Sequence, residues 1–240
     1  YPLRRQRQMC IRDRKNSMRL SLQDVEKTIG DRKILSNINF SIKNNEIVGL
    51  LGPNGAGKTT AFYLAAGLLF PDQGKVLING QEVTHAPMHM RSKIGLGYLP
   101  QEASIFSDLT VKENLMGIAE LAIESKEIRT EAVKKLIEEF NLIGLLNLKG
   151  RMLSGGQRRK VEIARTLVCN PNILLLDEPF AGIDPIAVEE IKGLLKKIAK
   201  RNISILITDH NVRETLSLCD RAIILSEGKI IADGAEDELV

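Results

Sequence analysis

Gly52-Pro53-Asn54-Gly55-Ala56-Gly57-Lys58-Thr59-Thr60 decides the fold of this chain. It follows Ile47-Val48-Gly49-Leu50-Leu51, an apolar run that reads as a buried strand. It precedes Ala61-Phe62-Tyr63-Leu64-Ala65-Ala66, which reads as a helix. The pattern is G-x-x-x-x-G-K-[ST] at a strand-to-helix turn, where a phosphate site needs it. Glycines let such a loop wrap closely, so successive N–H groups point inward at phosphate oxygens. The helix N-terminus adds a partial positive charge. Lys58 can reach the outer phosphates, and the Thr59 hydroxyl can ligate Mg²⁺. A Gly-rich turn with a surface lysine would carry the same letters. At average residue usage, though, the pattern arises by chance in about one chain in a hundred of this size. The strand and helix flanks reduce that further. Every residue from Gly52 to Thr60 is therefore a candidate phosphate-cradle position.

The bulk properties narrow the class. At 240 residues the chain suits one large domain, or a core with an inserted subdomain. An apolar fraction of 43% and a charged fraction of 27% are those of an ordinary globular protein. No apolar run approaches the roughly 20 residues needed to span a bilayer, and no secretory signal pattern is visible. Any membrane role must come through partners. Residues 1–17 carry Arg4, Arg5, Arg7, Arg12, Arg14 and Lys15 against Asp13 alone. That excess is larger than the whole formal net charge of +4, so the rest of the chain is close to neutral. A near-neutral body has no electrostatic footprint for nucleic acid. The basic leader lacks hydrophobic periodicity, and Met18 is a natural start before the first strand pattern. Residues 1–17 are expected to be non-native or disordered and outside the fold. Cys10, Cys169 and Cys219 are odd in number and far apart, which argues against a disulfide framework or a zinc site. Cys169 and Cys219 sit in apolar helical patterns and are expected to be core thiols of a cytoplasmic protein.

Along the chain, Leu20–Val25 alternates as a strand, Gly30-Asp31 is a turn, and alternation resumes from Ile34 to Ile42. That predicts an antiparallel hairpin. Pro71–Gly74 is a turn before a strand at Lys75–Ile78, and Ile94–Leu99 is another buried strand ended by Pro100-Gln101. Thr110 with Glu113 predicts a capping box, opening a helix through Val111, Leu115, Ile118 and Ala119. A second helix carries Val133, Leu136, Ile137 and Phe140. Continuous apolar runs resume at Ile173–Leu176, Ile203–Ile207 and Ala222–Leu225, with helices at 185–200 and 211–218 between them. Such runs fit parallel strands covered on both faces. The expectation is an α/β fold: a parallel-sheet phosphate-loop core with antiparallel β strands, about 18–101 and 169–240, and a helical insertion at about 102–168. The last strand is placed at Lys229–Ala232, and Glu236–Val240 reads as the start of a helix cut short.

Asp177 and Glu178 end the run at 173–176. Two acids at a buried strand end are costly unless something charged meets them. Adjacent strand residues point in opposite directions. Asp177 is the candidate for the Mg²⁺ shell and Glu178 for polarising an attacking water. Alone, a pair of acids capping a strand is as good a reading; beside a phosphate loop the catalytic one gains. Leu153-Ser154-Gly155-Gly156-Gln157 opens a helix over Arg158–Val168. It is either an ordinary serine cap with flexible glycines or a second anion-binding helix end. One economical arrangement is a twofold dimer in which each chain supplies half of two shared sites. His210 follows the run at 203–207, at the carboxyl edge where α/β sheets bind ligands.

These segments stand in the order of the ABC-transporter ATPases, which the chain resembles from residue 18 to 240. Gly52–Thr59 matches their Walker A loop, Gln101 the Q-loop and Leu153–Gln157 the signature. Ile173–Glu178 matches Walker B, Ala181-Gly182-Ile183-Asp184 the D-loop, and His210 the switch histidine. The resemblance implies a head-to-tail homodimer sandwiching two MgATP. It implies that Ser154, Gly155 and Gly156, with Gln157 beside them, reach the nucleotide held by the partner's Walker A loop. It implies that Gln101 senses Mg²⁺ and the membrane partner, and that His210 holds the γ-phosphate and the water. The catalytic candidates are thus Glu178, His210 and Gln101, and the metal candidates Thr59, Gln101 and Asp177. In one respect the chain departs: the family stacks adenine on an aromatic near the end of the first strand, and Ile29 stands there. An apolar contact survives but ring stacking does not.

Tyr98–Phe106, Asp177–Pro185 and Ile207–Leu216 are similar to the lipopolysaccharide-export branch of that family over stretches longer than nucleotide chemistry requires. That resemblance implies a cytoplasmic ATPase, peripheral on the inner membrane. It would drive two transmembrane subunits that dock between the helical insertion and the core. Phe106 is the candidate contact, or else a core aromatic under the Q-loop. Ser107 and Asp108 follow it where the family has a basic residue. The alternative is the ATPase of a branched-chain amino-acid importer, whose sequences look similar. Intact Glu178 and His210 argue against a regulatory module without turnover. The single set of motifs argues against the tandem ABC proteins of ribosomes or DNA.

Overall fold

The computed structural model describes residues 18–235. The leader at 1–17 and the helix start expected at 236–240 lie outside the described residues. Continuous apolar runs became central strands because both of their faces are covered. β3 (Ile47–Leu51), β7 (Ile173–Asp177) and β8 (Ser204–Thr208) are buried at every position. They join β6 (Leu96–Leu99), β9 (Arg221–Ser226) and β10 (Lys229–Gly234) in a six-stranded sheet of order β10-β9-β3-β8-β7-β6. All its neighbours run parallel except β10, which returns antiparallel along β9.

The two-residue period of a strand divides this sheet between two cores. Val48, Leu50, Ile173, Leu175 and Leu206 face one side, with Phe62, Leu64 and Ala65 of α1 (Lys58–Ala66). A four-stranded antiparallel sheet closes over that side, built from β1 (Met18–Ile29), β2 (Arg32–Lys43), β4 (Gln73–Ile78) and β5 (Gln81–Glu82). Its order is β2-β1-β4-β5. The hairpin expected from Gly30-Asp31 is β1 paired with β2. Leu174, Leu176, Ile205 and Ile207 face the other side, against helical residues. These come from α3 (Val111–Ala122), α4 (Lys126–Glu139), α5 (Gly155–Leu167) and α6 (Pro185–Ala199). A short α2 (Met88–Lys93) and α7 (Val212–Leu216) complete the set.

The capping box on α3 forms as expected, with Glu113 N–H donating to Thr110 Oγ1 and the Glu113 carboxylate accepting from Thr110 N–H at 2.7 Å. Two expectations need correction. The helix read as Arg158–Val168 starts three residues earlier, at Gly155, because a second capping box of Ser154 and Gln157 draws both glycines into its first turn. Cys169 is exposed just beyond that helix, not a core thiol. Cys219 is half-buried against the core, and burial pushes its thiol up to about 12.

Candidate functional site

Parallel pairing puts four strand ends on one edge. Leu50 of β3 lies beside Thr208 of β8, Thr208 beside Asp177 of β7, and Leu176 beside Leu99 of β6. The segments that follow are the loop Gly52–Gly57, then Asp209-His210, Glu178 and Gln101. Sequence positions as far apart as 52 and 210 therefore open onto one place, the carboxyl edge where such sheets bind ligands.

The loop is fixed by backbone geometry. Gly52 has φ +146°, and a Cβ there would meet Leu225 O at 2.1 Å, so no other residue fits. Ala56 is buried while Pro53, Asn54 and Gly55 are exposed, which leaves the loop's rim open. Lys58 begins α1, and its Nζ donates to Gly52 O at 2.7 Å and Pro53 O at 3.0 Å. The ammonium thus lies over the loop it would share with a phosphate. Thr59, next on the helix, is exposed, and Thr60 is half-buried. Burial lowers the Lys58 pKa, and the Glu178 charge opposes that shift.

Glu178 is the centre of the polar cluster. Its Oε2 accepts from Gln101 Nε2 at 2.6 Å, and its Oε1 lies 3.1 Å from His210 Nδ1. Its backbone is left-handed, with φ +46°, a conformation that non-glycine residues hold only when the surroundings impose it. The surroundings do so here. Glu178 N–H donates to Thr208 O at 2.8 Å. The buried Arg159 guanidinium donates to Glu178 O at 2.8 Å, Pro179 O at 3.0 Å and Pro100 O at 3.0 Å. Asp177 is buried and accepts from Thr208 Oγ1 at 2.6 Å. Burial raises the Asp177 carboxyl above its ordinary range, against the Thr208 hydrogen bond and the Arg159 charge. Burial also raises Glu178, with His210 opposing and the Asp177 and Asp209 charges adding to it. Acids pushed up beside a lysine pushed down, clustered at one sheet edge, make this edge the candidate functional site.

Gln101, Asp177, Glu178, His210 and Lys58 therefore come together within one chain. The segment Ser154–Gln157 makes its contacts elsewhere. Ser154 and Gly155 are exposed. Gln157 N–H donates to Ser154 Oγ at 3.3 Å, and Ser154 N–H to Gln157 Oε1 at 3.0 Å. Gly156 is buried where a Cβ would come within 2.4 Å of Ala187 Cβ, so the second glycine lets α5 lie against α6. Asp184 of the D-loop string caps α6 through Ala187 N–H. Arg159 and Asp209 carry no signal in the sequence that marks them out, and the structure shows both inside the site. Phe106 is 53% exposed, with the Arg165 guanidinium 4.8 Å over its ring; it is not a core aromatic. Ile29 is half exposed at the end of β1.

The sequence pattern of the ABC transporter family matches residues 35–181. The lipopolysaccharide export system ATP-binding protein LptB of Haemophilus influenzae is 51% identical over 222 residues, 92% of either chain. The protein of the same name in Escherichia coli K12 is 46% identical over the same shares. Among solved structures, the ADP conformation of an ATP-binding cassette of an ABC transporter superposes with a TM-score of 0.83 at 28% identity, covering 92% of each chain. A dimeric post-hydrolysis cassette bound to ADP and phosphate gives 0.78 at 28% identity, covering 90% of this chain and 98% of that one. Among the described residues no helix is long and apolar enough to cross a membrane. By these matches the chain belongs to the ABC transporter family, and within it to the ATP-binding, ATP-hydrolysing subunits.

Proposed function

We propose that this chain is the ATPase of a lipopolysaccharide export transporter, working as a homodimer on the cytoplasmic face of the inner membrane. The observation that carries the enzymatic part is the meeting of Lys58, Gln101, Glu178 and His210 at one sheet edge. The cargo rests on the relatives named for lipopolysaccharide export, at up to 51% identity over nearly the whole chain.

In this reading the amides from Gly52 to Thr60 and the Lys58 ammonium hold the β- and γ-phosphates. Glu178 takes the proton of the attacking water, and His210 and Gln101 hold that water and the γ-phosphate in line. A Mg²⁺ ion suits the oxygen donors offered: the Thr59 hydroxyl, the buried Asp177 carboxylate and the Gln101 amide oxygen are all hard ligands. When bound, the ion supplies charge to the phosphate oxygens. Ser154, Gly155, Gly156 and Gln157 act on the nucleotide of the partner chain, head to tail. The core at about 18–101 and 169–240, with the helical insertion at about 102–168, offers its groove to two transmembrane subunits. Phe106 is the contact there, with the Arg165 guanidinium packed over its ring.

Glu178→Gln is expected to keep ATP binding and lower turnover by about 10²-fold or more, the contribution of a positioned base. Unchanged turnover would remove the base from this reading. The cargo is tested by reconstituting the chain with the membrane subunits it copurifies with. ATP-dependent release of lipopolysaccharide from loaded vesicles is expected. Uptake of a branched-chain amino acid in its place would contradict the export assignment.

A further inference from the structure

The stretch Thr208-Asp209-His210-Asn211 is longer than phosphate chemistry needs, and the structure gives its second residue a task. Asp209 is 3% exposed. Its Oδ2 accepts the Phe180 N–H at 3.3 Å, and its Oδ1 accepts the Asn211 N–H at 2.8 Å. Phe180 lies two residues beyond Glu178, and Asn211 directly follows His210. One buried carboxylate thus ties the backbone that carries Glu178 to the turn that carries His210.

The His210 side chain itself is 60% exposed, so it is aimed by its backbone and its 3.1 Å contact with Glu178 and not by packing. That backbone is anchored beyond the turn as well. Asn211 caps α7 by accepting the Glu214 N–H at 3.4 Å, and the Glu214 carboxylate pairs with Lys192 of α6, which also donates to Ser217 Oγ at 2.8 Å. Before the turn, Thr208 holds Asp177 and the Glu178 amide. Between these anchors, the Asp209 carboxylate adds a side-chain tie from the turn of His210 to the backbone beyond Glu178.

We propose that Asp209 is a positioning residue for ATP hydrolysis: its carboxylate sets the distance between Glu178 and His210 by hydrogen-bonding the backbone of both segments. The proposal rests on the roles given above to Glu178 and His210. It says that Asp209 acts through His210. An Asp209 that merely added negative charge near Glu178 would act whether or not the imidazole was present.

A double-mutant cycle on the full chain separates the two. In the otherwise unchanged chain, Asp209→Asn is expected to lower kcat about tenfold or more, since small misplacements in a reacting pair cost that much, with KM for ATP within about twofold. In the His210→Ala background the same change is expected to alter kcat by less than about twofold. Equal losses in both backgrounds, or a kcat for Asp209→Asn within twofold of the parent, would overturn the proposal. Should Asp209→Asn not fold, Asp209→Ser enters the same cycle with the same expected outcomes. Its hydroxyl can keep the turn bond to Asn211 but is too short to span to Phe180. Parental turnover in Glu178→Gln would instead remove the site reading itself, and the proposal with it.

Discussion

Burial holds the Glu178 carboxyl above the usual glutamate range, and a base must lose its proton to work. As pH falls through the raised value, activity disappears. The acid limb of kcat/KM against pH, which reports the free chain, is therefore expected above the ordinary glutamate value of about 4.3. A limb at or below that value would contradict the assignment. The same shift bears on stability. A carboxyl whose folded pKa is raised favours the fold while it is protonated, and loses that contribution as pH rises through the folded value. Glu178→Gln, neutral at every pH, is accordingly expected to melt no lower than the parent at neutral pH, which calorimetry checks. Lys58, Glu178 and His210 were legible in the sequence because each ends a recognisable strand-loop pattern. Arg159 and Asp209 were not. Each has a partner nearby in sequence, Glu162 and Asn211, but the partners that place them in the site, such as Pro100 O and Phe180 N–H, are brought near by the fold and by no spacing within the chain.

At the scale of elements, α1 carries the phosphate loop at its start and needs an anchor at its end. Arg91, fully buried in α2, supplies it. Its guanidinium donates to Leu64 O at 2.6 Å and Ala65 O at 2.8 Å in the last turn of α1, and to Val83 O, Thr84 O and Ala86 O. Burial pulls its pKa down to about 10, still far enough above neutrality to keep the charge that suits a helix C-terminus. Arg91→Met would leave five carbonyls without this donor. It is expected to destabilise the fold by about 3 kcal/mol or more, read from the urea midpoint; a loss below about 1 kcal/mol would contradict the anchor. The central strands could be read to within a residue, because both of their faces are apolar. Neither α2 nor the start of α5 could. α2 spans six residues, Met88–Lys93, with a charged residue as its buried anchor, so it shows no apolar period. The first turn of α5 contains Gly155-Gly156, poor helix formers held by the Ser154–Gln157 box and by the packing of Gly156 on α6.

For the whole molecule, the exposed Ser154 and Gly155 are among the residues whose proposed work lies outside their own chain. They stand at the start of a helix whose far side is locked to the catalytic segments through Arg159. Closure of two chains around ATP would bring each serine-glycine end onto the other's phosphates. Ser154→Arg is expected to cost about 1 kcal/mol of stability through the lost cap, leave ATP binding to single chains intact, and abolish turnover. Normal turnover in that variant would count against shared sites. The most direct test is the mass of Glu178→Gln by light scattering, with and without ATP. The account predicts a monomer without nucleotide and a dimer with it, returned to monomer by adding Ser154→Arg while ATP still binds. A mass indifferent to ATP, or a dimer that survives Ser154→Arg, would contradict it.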